Sequence, residues 1–109
     1  MVLLDLLGRR MALRILWELS VAKGPLTFRE LLAVAQTNPS VLNKRLKELR
    51  HGRLVAHNGQ GYQLSIAGRE LLALFLPLHV WADKWASQLK RDRAKPLRTT
   101  LGSRSKPAA

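Results

Sequence analysis

The chain has 109 residues, almost half of them apolar, which suits one domain with a real core near the lower size limit for folding without staples. It contains no cysteine, which excludes disulfides, thiolate metal sites and cysteine nucleophiles and fits a reducing compartment. Nineteen Lys and Arg against seven Asp and Glu give a formal charge of +12, the signature of a chain drawn to polyanions.

Part of that excess lies near the C-terminus, but the segment from Arg45 to Arg53 is basic too. The longest apolar stretch, Leu71 to Ala82, is broken by Pro77 and His79 and falls short of the roughly twenty residues a membrane span needs. Met1-Val2-Leu3-Leu4-Asp5 has no basic region ahead of its apolar residues and no small-residue cleavage site. The expectation is a cytoplasmic, nucleoid-associated protein.

Val2 to Leu7 reads as a short apolar helix ended by Gly8. A second helix is expected from about Arg9 to Ala22, with Met11, Leu13, Leu16 and Leu19 recurring near the helical period. Lys23-Gly24-Pro25 closes it. Thr27-Phe28-Arg29-Glu30 has capping-box spacing and opens a helix from Phe28 to about Ala35, with Leu31, Leu32 and Val34 or Ala35 inward. After a turn over Gln36 and Thr37, Asn38-Pro39 supplies an N-cap and a proline in the first helical position. That fourth helix runs to about His51, where Gly52 stops it, and buries Leu42, Leu46 and Leu49.

Leu54 to His57 and Tyr62 to Ser65, joined by Asn58-Gly59-Gln60-Gly61, predict a β-hairpin about an Asn-Gly turn. Ser65 then caps a final helix from Ile66 or Ala67 to about Arg93, with Pro77 expected to kink it. From Ala94 onward, Pro, Ser, Thr, Gly and basic residues predict a disordered basic tail. Residues 1–93 therefore form the expected domain and 94–109 the tail. The predicted fold is mainly α with a small β-hairpin wing, a winged helix-turn-helix with a long kinked C-terminal dimerisation helix.

Helical geometry turns Ser40, Lys44, Lys47 and His51 away from the leucine stripe of the fourth helix, with Asn43 beside them. Short polar residues near a helix start suit base edges, and lysines suit phosphate or guanine. Lys, Asn and Ser also commonly face plain solvent, so the helix pair before this face and the hairpin after it carry the DNA reading. At the wing, His57, Asn58 and Gln60, with Arg53 at its base, suit contacts to the DNA backbone, although the turn itself asks for Asn-Gly whatever the function. Arg29 is a further phosphate candidate ranked below Lys44 and Lys47.

On the last helix Leu71, Phe75, Leu78, Ala82, Trp85 and Leu89 alternate in steps of four and three, and Leu74 and Trp81 widen this surface. So small a domain cannot cover all of it, which predicts a second copy across a two-fold axis, with Val2 to Leu7 able to join. His51, His57 and His79 lie on three elements, the carboxylates are scattered, and no glycine-rich phosphate loop is present. The residues thus predict no enzyme, no metal and no cofactor.

Leu4-Asp5-Leu6-Leu7-Gly8, Leu13 to Leu19, Gly24 to Leu31, Pro39 to Leu49 and Tyr62 to Gly68 together resemble the HxlR-like regulators of bacteria, within the MarR-like winged-helix superfamily. Pro77 followed by Trp81 is similar to the family's terminal helix. The resemblance spans roughly residues 2 to 90 and implies a homodimer on palindromic operator DNA, repressing or activating nearby genes. The wing here is shorter than usual in the family. Many members sense electrophiles through a cysteine near the start of the domain, a mechanism closed to this chain; the resemblance identifies no small-molecule effector. The rival reading is a winged-helix protein-interaction or RNA-binding module.

Overall fold

In the computed structural model, which describes residues 2–94, helices α1 (Val2–Leu7), α2 (Ala12–Val21), α3 (Phe28–Ala35) and α4 (Pro39–His51) precede strands β1 (Val55–Asn58) and β2 (Gly61–Leu64), and helix α5 (Ile66–Ala94) ends the order. The described residues divide into two compact units, 2–74 and 75–94. The expected basic tail, from residue 95, lies outside the described residues.

Local chemistry sets most of the boundaries in the first unit. Met11 adopts a left-handed backbone (φ 70°), so α2 begins at Ala12 rather than at Arg9. Its inward face is Ala12, Ile15, Leu16 and Leu19, all buried, whereas Leu13, one of the periodic apolar set, is 41% exposed. Helix α3 opens on the expected reciprocal cap: Thr27 Oγ1 accepts from the Glu30 N–H at 3.1 Å, and the Thr27 N–H donates to Glu30 Oε1 at 2.9 Å. Leu31 and Ala35 are buried on it, Leu32 is half-buried and Val34 faces solvent. Gln36 takes a left-handed conformation (φ 53°) at the C-cap and sends the chain into the turn before α4.

Helix α4 starts where Asn38 Oδ1 accepts from the Val41 N–H at 2.9 Å, with Pro39 in the first turn. Leu42, Leu46 and Leu49 are buried and, with Ile15, Leu16 and Leu31, are the largest fully or nearly fully enclosed side chains. At a few kcal/mol each, this cluster is the chief source of stability for the unit.

The hairpin pairs Val55 with Leu64, Ala56 with Gln63, His57 with Tyr62 and Asn58 with Gly61. This register corrects the expected turn: Asn58 belongs to the strand, and Gly59-Gln60 occupy the tip. The Asn58 Oδ1 accepts from the N–H groups of Gln60 (2.7 Å) and Gly61 (3.1 Å), so its side chain closes the turn. Gly61, not Gly59, holds the positive φ (142°), and a Cβ there would run into the Leu26 carbonyl. Leu26 meets Tyr62 in a reciprocal pair of backbone bonds, at 2.9 and 2.7 Å, which ties the segment between α2 and α3 to the wing.

Ser65 caps α5 as expected. Its hydroxyl accepts from the Gly68 N–H at 3.0 Å and donates to the Arg53 carbonyl at 2.6 Å. Gly68 and Leu72 bury the start of α5. The helix contains Pro77 and runs to Ala94. Within the second unit Trp81 and Trp85 stack with centroids 5.9 Å apart and planes 8° from parallel, and His79 Nε2 lies 3.6 Å from Asp83 Oδ2. No helix among the described residues is long and apolar enough to cross a membrane.

Candidate nucleic-acid interface

With Leu42, Leu46 and Leu49 fixed inward, the opposite face of α4 follows from the helical repeat. Ser40, Asn43, Lys44, Lys47 and His51 are all exposed on it. The position of Ser40 in the first turn places its hydroxyl and its own N–H at that end, because Pro39 has no N–H and Asn38 accepts from Val41 and Leu42. Among the described residues no carboxylate pairs with Lys44 or Lys47. Their ammonium groups are available to a polyanion.

The wing residues are also outside, and each is held differently. His57 packs against Tyr62 across the strands, with ring centroids 4.4 Å apart, which stiffens it. Asn58 has its carbonyl oxygen engaged in the turn, so only its NH₂ faces outward chemistry. Gln60 is exposed at the tip, and Arg53, at the wing's base, has a left-handed backbone (φ 61°) whose carbonyl receives the Ser65 hydroxyl. Arg29 is exposed in the first turn of α3, on a separate element from either group.

Two features were missed in the sequence. Arg50 is exposed on the last turn of α4 and adds a cation about two turns beyond Asn43 on the same side of the helix. The second is the anchoring of the same helix through Glu48. Arg9 Nη1 lies 2.7 Å from Glu48 Oε2, Arg45 Nη1 lies 3.0 Å from Oε1, and Arg45 Nε donates to the Arg10 carbonyl at 2.8 Å. Partial desolvation pushes the Glu48 carboxyl upward, but the hydrogen bond from Arg9 and the charges of Arg45 and Arg9 outweigh it and hold the group below the ordinary value. The Arg45–Glu48 spacing of three was readable as a helix pair, whereas Arg9 is 39 residues away and left no local signal.

A capped helix pair, an exposed polar and basic face on the second helix and a two-stranded wing define a winged helix-turn-helix, the architecture of a DNA-binding regulator. The HxlR-like helix-turn-helix profile matches residues 6–90, and the chain belongs to that family. Its fold is similar to the quinone-bound form of YodB from B. subtilis, with 31% identity, a TM-score of 0.68, and 76% of this chain and 93% of that one covered. The reduced form of the same transcriptional regulator aligns with 28% identity and a TM-score of 0.66, over 76% of this chain and 87% of that one. No curated protein matches the chain. The family and these neighbours make the chain a DNA-binding transcriptional regulator.

Proposed function

We propose that the chain binds palindromic operator DNA as a homodimer, with α4 of each protomer in the major groove of one half-site. The observation that carries this reading is the face of α4: Lys44 and Lys47 are exposed and unpaired beside Ser40 and Asn43, on a helix anchored by three buried leucines. Ser40 and Asn43 read base edges, and Lys44, Lys47 and His51 contact phosphate or guanine. Arg29, Arg53, His57, Asn58 and Gln60 position the DNA backbone.

The second copy is supported by apolar side chains that α5 leaves in solvent. Leu78, Trp81 and Trp85 are at least half exposed, Leu89 is 37% exposed, and Phe75 and Ala82 are half-buried. Leu71 begins the same seam, and Val2 and Leu4 on α1 are exposed as well. Pairing this helix with its copy removes that surface from water and brings two recognition helices to half-sites about one DNA turn apart.

Selection from random duplex DNA tests the reading. A palindrome should be enriched, with half-site centres about ten base pairs apart or a multiple of that. Uniform retention of all sequences, with equal or better binding of structured RNA, would support the RNA-binding alternative instead. Light scattering should return twice the 12.3 kDa chain mass, and a monomer at micromolar concentration would refute the α5 pairing.

A further inference from the structure

Beside the N-terminal helix the first unit contains a broadly open cavity of about 530 Å³ between α1 and the C-terminal end of α4. Its volume falls within the ~300–1,000 Å³ usual for small-molecule sites. Its walls differ in chemistry. Val2 and Leu6 line the α1 side, and Gly52 lets Leu6 approach the end of α4 closely, since a Cβ there would sit 3.2 Å from Leu6 Cδ2.

The polar wall carries Arg9, Lys47 and His51 against Asp5 and Glu48. Glu48 is neutralised by Arg9 and by Arg45 just behind it, which leaves Asp5 as the one acid of the wall outside an ion pair. Lys47 is unpaired, and the remaining N–H groups of Arg9 are free to donate, so the balance favours an anion. The apolar side favours an anion with an organic body over a bare inorganic one.

We infer that this cavity is a regulatory site for a small organic carboxylate, held by Lys47, Arg9 and His51 through its charge and by Val2 and Leu6 through its apolar part. Its consequence rests on the operator reading above. Lys47 and His51 belong to the DNA-facing surface, so a carboxylate that engages them withdraws them from phosphate, and ligand and DNA compete. Lacking cysteine, this chain holds such a ligand without a covalent bond to sulfur.

The test is an amide-resolved NMR titration of the DNA-free full chain with phenylacetate, with 2-phenylethanol as the neutral control and inorganic phosphate as the bare-anion control. Phenylacetate should give saturable shifts at Leu6, Arg9, Lys47, His51 and Gly52, at least several-fold tighter than either control. Gly52→Leu, whose fold is checked in the same spectrum, and Lys47→Gln should each weaken these shifts several-fold. Equal binding of 2-phenylethanol or phosphate, or shifts confined to other parts of the chain, would overturn the site.

A second arm follows duplex binding by anisotropy as phenylacetate replaces acetate at constant ionic strength. Release of DNA in step with cavity saturation supports the competition, and a saturated cavity with undiminished DNA binding overturns it. A protein that binds no duplex even in acetate would refute the operator reading and leave the NMR result to judge the cavity by itself.

Discussion

Replacing both Lys44 and Lys47 with alanine removes two exposed, unpaired cations from each recognition helix without touching the core. If both contact phosphate, a homodimer loses four phosphate neutralisations. Each is worth about 0.9 in the slope of log K against log salt, so the double variant should flatten that slope by about 3.6, against about 1.8 for a monomer. Between about 100 and about 200 mM salt, the wild type should therefore lose about twelvefold more affinity than the variant. Fluorescence anisotropy with one operator duplex across several salt concentrations measures both lines. Thermal melting should show the two folds to be equally stable within about 0.5 kcal/mol, as surface substitutions usually are. Parallel salt lines would refute the assignment, because they would mean that neither ammonium group releases a counterion from DNA.

Other perturbations test the fold and its anchors. Leu42→Ala opens space in the centre of the core and should cost about 2–5 kcal/mol, lowering Tm by at least about 8 °C; a smaller fall would mean that α4 is not held by its leucine stripe. Thr27→Ala breaks the reciprocal cap of α3 and should cost about 1 kcal/mol in a denaturant titration, with Thr27→Ser restoring most of it. Glu48 titrates below its ordinary value near 4.5, so its stabilising effect is fully present above that pH and is lost as pH falls through the folded-state value. Glu48→Gln should accordingly lower stability at neutral pH and flatten the acid limb below about pH 4.5, read from denaturation midpoints; an unaltered acid limb would refute the Arg9–Glu48–Arg45 anchor. Trp81→Ala combined with Trp85→Ala should shift the light-scattering mass toward one chain, and an unchanged dimer would place the interface elsewhere.

What the sequence shows and what it hides divides along the range of the interactions. The starts of α3, α4 and α5 were readable because Thr27, Glu30, Asn38, Pro39 and Ser65 act on backbone groups within three residues. The buried face of α4 was readable because polar residues separate its leucines. On α2 the apolar residues nearly encircle the helix, with Leu13 and Val21 outside and Ile15 and Leu16 inside, so periodicity alone did not choose the inward face. The turn of the wing depended on strand register: Asn58-Gly59 suits a turn centre, but pairing Asn58 with Gly61 moves the tip to Gly59-Gln60. The Leu26–Tyr62 bridge and the Arg9–Glu48 pair join distant segments and had no local sign. The exposed face of α4 was legible as a pattern, and its freedom from ion pairing became visible only when no carboxylate among the described residues was seen to reach Lys44 or Lys47.

That last point changes what the charge of +12 means for binding. Arg45 lies in the basic segment, yet it is half-buried, bonded to Glu48 and to the Arg10 carbonyl, and so is an anchor. Glu48, on the same helix as Lys44 and Lys47, would by itself repel a phosphate backbone. Bracketed by two guanidinium groups, it becomes part of a unit of net charge +1, and its repulsion is cancelled where DNA would approach. One arrangement therefore fixes the helix to the segment joining α1 and α2 and preserves the positive field of its outer face. If that face binds DNA as proposed, the number of phosphates it holds is set by the cations left unpaired on it, and it is the salt slope, not the net charge, that counts them.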